Sequence, residues 1–139
     1  MVRTAAVIAA VMLALAAVPI PVTDEPAPVE PVKAELTEMV SLGEFTCTAY
    51  CGCRKCNGKW YGYPTASGTD YEEGRTLAVD PKVIPLGTEI YIPGWGWFVA
   101  EDTGNGIKGQ RLDMYYDDHG EALEHGVKQM EVWVKDGAM

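Results

Sequence analysis

The chain has 139 residues, with 20 acids against 11 bases for a formal charge of −9, and it is 47% apolar and 22% charged. That is enough for one domain with a packed core, and it excludes wholesale disorder. No run of bases exceeds Arg54-Lys55, so a phosphate backbone would repel the chain and no nucleic-acid partner is expected.

In chain order, residues 1–22 come first, with a cation at Arg3 followed by an apolar stretch from Ala5 to Val18. This is the layout of an export signal, and Ala14-Leu15-Ala16 offers small residues at the −3/−1 spacing a signal peptidase needs. Extended to Val22, the same stretch suits an uncleaved membrane anchor, with Pro19 and Pro21 breaking its end. The protein is therefore expected to be secreted or associated with the cell envelope, meeting membrane only through this segment if it is retained. Residues 23–43 are rich in Pro and Glu and read as an extended linker, at about 3.1 Å per residue. Residues 44–139 hold all the Cys, Trp and His and are expected to be the folded domain.

Within that domain the pattern is mainly β. Phe45–Tyr50, Thr88–Ile92 and Met130–Val134 alternate apolar and polar residues, as half-buried strands do. Thr76–Val79 and Trp97–Ala100 are short apolar runs suited to strands covered on both faces, with Trp97 and Trp133 expected in the core. Turns are expected at Ile84–Gly87 and Pro93-Gly94. One short helix follows Asp117 or Asp118 as N-cap, with Ala122 and Leu123 inward and Gly126 ending it. Six or so short strands and one helix predict a small closed barrel.

Three aspartates stand at or near strand ends: Asp80 in Leu-Ala-Val-Asp-Pro, Asp102 in Val-Ala-Glu-Asp-Thr-Gly and Asp113 in Arg-Leu-Asp-Met-Tyr. If they converge, desolvation and mutual repulsion hold one of them protonated near neutral pH, ready to act as a general acid. The plain alternative is that Asp80 and Asp102 only open turns.

Thr65-Ala66-Ser67-Gly68, Leu77-Ala78-Val79-Asp80-Pro81, Ile84-Pro85-Leu86-Gly87-Thr88, Ala100-Glu101-Asp102-Thr103-Gly104, Ile107-Lys108-Gly109 and Leu112-Asp113 follow one another in this order. Together they resemble the 3D domain, a family named for three aspartates and related to MltA-type lytic transglycosylases. The resemblance implies a six-stranded double-psi β-barrel that acts on peptidoglycan, cleaving the β-1,4 bond between N-acetylmuramic acid and N-acetylglucosamine with formation of a 1,6-anhydro ring. It implies Asp113 as acid and then base, Asp102 beside it and Asp80 orienting the site. Thr65, Ser67, Lys108 and Gly104 would face substrate, and the aromatics Trp60 and Tyr63, in a Gly-rich loop, suit the apolar faces of sugars. Lys108 and Arg111 would offset the charge of an acidic polymer.

Cys47, Cys51, Cys53 and Cys56 crowd into ten residues. They suit either a structural zinc, with four ligands and no open position, or two disulfides, whose pairing the sequence does not give. No cofactor is expected for catalysis. Two other functions stay open: a non-catalytic carbohydrate-binding module, since fold alone does not assign activity, and a cysteine peptidase pairing one Cys with His119 or His125. Against the peptidase, both His fall in the short helix, where capping or surface placement is the usual role.

Overall fold

The computed structural model describes residues 38–139; the expected export segment and residues 23–37 of the linker lie outside the described residues. Six strands close into a barrel: β1 (Met39–Cys51), β2 (Thr76–Ala78), β3 (Glu89–Ile92), β4 (Gly96–Asp102), β5 (Arg111–Tyr116) and β6 (Lys128–Lys135). Around the barrel the order is β1-β5-β2-β4-β3-β6. The pairs β1–β5 and β2–β4 are parallel, and the other pairs are antiparallel. Strand β1 begins at Met39, so it includes residues 39–43, which the sequence pattern placed in the linker. Met39 pairs with Lys135, side by side with the end of β6.

The alternation of the strands builds the core. Phe45 and Cys47, Leu77, Ile90 and Ile92, Phe98 and Ala100, Leu112 and Met114, and Met130, Val132 and Val134 point inward as one cluster. Each Leu, Ile or Phe so buried contributes about 1.5–3 kcal/mol from surface removed from water. Trp97 and Trp133 are not in that cluster. They stand half-buried on the outer face, each opposite Tyr91 across a strand pair. The reason is parity: Trp97 alternates with inward Phe98, and Trp133 lies between inward Val132 and Val134.

Among the described residues two helices are present where one was expected. The added one is a single turn, α1 (Arg54–Asn57), followed by a 3-10 turn at Gly58–Trp60, and neither contains a buried residue. The expected helix is α2 (His119–His125). Its N-cap Asp118 accepts hydrogen bonds from the backbone N–H groups of Gly120 and Glu121, at 2.7 and 3.1 Å. Gly126 ends it with φ of 66°, a conformation that costs residues with a side chain. Ala122 is inward as expected, but Leu123 is 68% exposed, and His125 takes the buried position three residues after Ala122. Among the described residues no helix is long and apolar enough to cross a membrane.

Candidate functional site

The outer face of β5, β2 and β4 carries the acidic site. Ala78 pairs with Asp113 on one side and with Asp102 on the other. Residues in register share a face, so the two carboxylates flank the methyl group of Ala78, their backbones two strand spacings or about 10 Å apart. Ala78 between them is buried, packed in one cluster with Tyr50 and Tyr115, with Tyr71 against it.

Asp102 faces outward because β4 is irregular. Phe98 and Ala100 point into the core, and strict alternation would send Asp102 after them. The register instead shifts from Leu77↔Ala100 to Ala78↔Asp102, one residue more on β4 than on β2. This bulge at Glu101 turns Asp102 to the outer face, a common use of bulges beside functional sites. Glu101 itself is buried, accepting hydrogen bonds from Thr76 Oγ1 at 2.8 Å and Arg75 Nε at 3.2 Å.

Asp102 is held rigidly. Tyr50 donates its hydroxyl hydrogen to Oδ2 at 2.8 Å, and the backbone N–H of Ala66 donates to Oδ1 at 3.0 Å. The Thr65–Gly68 loop is thereby tied to the bulge, and Ser67 adds two bonds to the Glu101 carbonyl, from its N–H at 2.9 Å and its hydroxyl at 2.8 Å. Thr65 is buried, with Oγ1 engaged by Thr69. These two side chains, expected to face substrate, thus build the loop that clamps Asp102.

Asp113 accepts one bond from Thr48 Oγ1, at 2.8 Å. Burial pushes its carboxyl from the ordinary 3.8 up to about 6, opposed by the Thr48 bond and the charge of Arg111 and reinforced by the negative charge of Asp102. Desolvation is the main cause and repulsion by Asp102 the smaller one, where the sequence had suggested both acting among three converging acids. Asp80 takes no part in it. Its carboxylate accepts the N–H groups of Lys82 at 3.1 Å and Gly109 at 2.8 Å, which lower its pKa and fasten the loop before β5 to the turn after β2. Exposed Lys108 acts electrostatically on Asp80, while Arg111 is the cation that acts on Asp113. At Gly104 a Cβ would come within 2.9 Å of Ile107 Cγ1, so tight turn packing accounts for this glycine.

A wall of tyrosines adjoins the two acids. Tyr71 stacks on Tyr115 at 5.0 Å and meets Tyr50 edge-on at 6.1 Å. Its hydroxyl pKa is pushed up to about 12 by burial and by the charge of Asp102. Tyr71 also lines a cleft of about 470 Å³, together with Gly52, Tyr61, Tyr63 and Asp70. Trp60 and Tyr63, 57% and 61% exposed, meet edge-on at 6.0 Å in the loop bordering it. Nothing local in the sequence joins Tyr71 to Tyr50 and Tyr115, although Tyr50 and Tyr115 sit two residues beyond Thr48 and Asp113 on the same faces of paired strands.

The cysteines do not act as a foursome. Cys47 is sealed in the barrel core, where burial and the charge of Asp113 raise its thiol to about 12. Cys51, Cys53 and Cys56 instead gather around His119, a residue expected to serve as a cap or surface group. All four cysteines are free thiols in this structure. His125, the last residue of α2, is buried, with Nδ1 3.1 Å from the Tyr116 hydroxyl.

Residues 75–135, which include all three aspartates, match the family model of the 3D domain. Over these residues the chain is similar to the 3D domain. The chain is 35% identical over 89 residues to YabE of Bacillus subtilis (strain 168), named for cell wall shaping, covering 61% of this chain and 21% of that protein. It is 41% identical over 73 residues to the cell wall-binding protein YocH of the same organism, covering 50% and 25%. The chain thus spans about a fifth to a quarter of these relatives. A crystal structure of MltA from Escherichia coli, a lytic transglycosylase, overlaps with a TM-score of 0.45 and 28% identity over 50% of this chain and 26% of the other.

Proposed function

We infer that the barrel of this chain is a 3D domain and a peptidoglycan lytic transglycosylase, with Asp113 as its single acid and base. The observation that carries this reading is the Asp113 carboxyl itself: half-buried, raised to about 6, and flanking a small residue opposite a fixed second carboxylate. Protonated, it donates to the glycosidic oxygen as that bond breaks. As carboxylate, it then removes the proton from the muramyl C6 hydroxyl, which closes on the anomeric carbon, so that no water is consumed. One carboxyl used twice differs from the two separately employed carboxylates of most glycosidases. Asp102, kept in place by Tyr50 and Ala66, stabilises positive charge developing on the sugar ring. Asp80 acts at a remove, by holding the loop ahead of β5. Trp60, Tyr61 and Tyr63 supply flat apolar surface for neighbouring sugars.

The two parallel strand pairs support reading the barrel as a double-psi barrel, and relatives named for shaping or binding the cell wall support peptidoglycan as the partner. With residues 1–22 as export signal or anchor, the domain works outside the membrane.

Digestion of purified peptidoglycan by the chain, followed by mass spectrometry, tests the reaction. Anhydro-muropeptides are expected, and Asp113→Asn abolishes them. Reducing-end products would instead mean hydrolysis, and cut stem peptides a peptidase. The exposed aromatics Trp60, Tyr61 and Tyr63 and the relative named for wall binding favour one second reading, a non-catalytic binding module. That reading predicts sedimentation with peptidoglycan sacculi without any product.

A further inference from the structure

We propose that Cys51, Cys53, Cys56 and His119 bind one zinc ion tetrahedrally, and that this ion fastens the aromatic loop to the barrel. The ligand atoms of these four residues lie within 4.8 Å of one another. His119 Nδ1 is 3.4 Å from the Sγ atoms of Cys51 and Cys53 and 3.6 Å from that of Cys56, and the Cys51 and Cys56 sulfurs are 3.7 Å apart.

Those separations are the edges of a zinc tetrahedron. With Zn–S of about 2.3 Å and Zn–N of about 2.0–2.1 Å, tetrahedral angles give S···N edges of about 3.5–3.6 Å and S···S edges of about 3.8 Å. A disulfide between Cys51 and Cys56 would need about 2.05 Å. Hydrogen bonding does not explain the arrangement either, because one ring nitrogen has a single donor or acceptor position and three sulfurs surround it. A cysteine nucleophile paired with a base needs one sulfur at the ring, not three. Three thiolates and a neutral imidazole saturate the ion, so the site is structural and leaves no place for a reacting water.

The chain's own architecture supplies the need for it. Cys51 ends β1, Cys53 caps α1, Cys56 lies within α1 and His119 opens α2. Between them, α1 and the following 3-10 turn bury nothing, so no apolar contact within these elements anchors the loop that presents Trp60. A metal is the usual substitute for a core in a segment this small. The ion would tie this loop to the barrel strand that carries Thr48 and Tyr50. Cys47, four residues ahead of Cys51, is buried in the barrel and is not a ligand. The site stands independently of the transglycosylase reading; only its service to glycan binding rests on that reading.

Elemental analysis of the purified full chain, with thiol counting in denaturant plus chelator, decides the matter. One zinc per chain and four titratable thiols are expected. His119→Ala and Cys53→Ser should lose zinc to a competing chelator at least tenfold more readily, while Cys47→Ala keeps one zinc, with circular dichroism confirming that each variant is folded. Cobalt loaded in place of zinc should show thiolate-to-metal charge-transfer absorption that weakens in Cys56→Ser. Fewer than four thiols, meaning disulfides, would overturn the proposal. So would zinc lost from Cys47→Ala but kept by His119→Ala, or one of the three thiols alkylated rapidly in metal-loaded protein. None of these readouts depends on glycan cleavage, so a metal-bound but inactive chain would refute the enzymatic reading alone.

Discussion

Asp113 and Asp102 are a pair of carboxylates placed in opposite settings by what surrounds them. Asp113 has one hydroxyl donor and little water, and its proton is held about two units more tightly in the fold than in an unfolded chain. The fold therefore gains stability from this group below about pH 4 and loses it as pH rises through about 6. Asp113→Asn, which keeps the shape without the charge, should raise stability at pH 8 by about 1–3 kcal/mol and by little at pH 4, as read from urea unfolding at the two pH values. Activity should move the other way. On the proposed transglycosylase reading, wild-type turnover should fall as pH increases beyond about 6, because the proton needed by the leaving oxygen is lost, and a rate that keeps rising to pH 8 would remove Asp113 as the acid. For Asp102 the informative change is Tyr50→Phe. It strips one donor from a buried carboxylate, and denaturant midpoints should show a loss of about 1–3 kcal/mol.

At the level of elements, the strands were readable wherever apolar and polar residues alternate, as in Met130–Val134, because a strand must present one face to the core. Asp118 and Gly126 likewise marked both ends of α2, each having a side-chain or backbone property that a helix terminus requires. The single-turn helix α1 left no such trace, since it has no buried face to impose a period. The bulge at Glu101 also escaped, because a shift of register is a property of two strands together and Asp102 belongs to only one of them. His119 was hidden for a related reason: it lies more than sixty residues from the cysteines it meets, and only the pairing of β1 with β5 brings α2 back to them. The N-cap that orients it is open to test. Asp118→Ala should cost about 1 kcal/mol in thermal or urea unfolding, from two unmet backbone donors. On the zinc proposal the same change weakens metal retention, although Asp118 is not a ligand.

Across the whole molecule, closure explains why a domain with strands as short as β2, three residues long, holds together: every strand has two neighbours and no edge is left to pair with another copy. The sequence could indicate a barrel from its strand count and from its family likeness, but not which strands are neighbours, because parallel pairs such as β1–β5 join segments with no local signal between them. The pairing of Met39 with Lys135 has a consequence of its own. β1 runs from that pair to Cys51, a path of about 40 Å if fully extended, so the amino-side entry and the carboxyl-side exit share one pole and the aromatic loop begins at the other. A partner fused at either terminus should hang clear of the cleft. A circular permutant joining residue 139 to residue 38 through a short Gly-Ser bridge, and opened in an exposed turn such as Pro93–Trp95, should fold with an unchanged circular-dichroism spectrum. Such a permutant would seal the pole shared by Met39 and Lys135 and leave the pole of the aromatic loop open, so that the proposed glycan binding could be measured with nothing trailing from the other end.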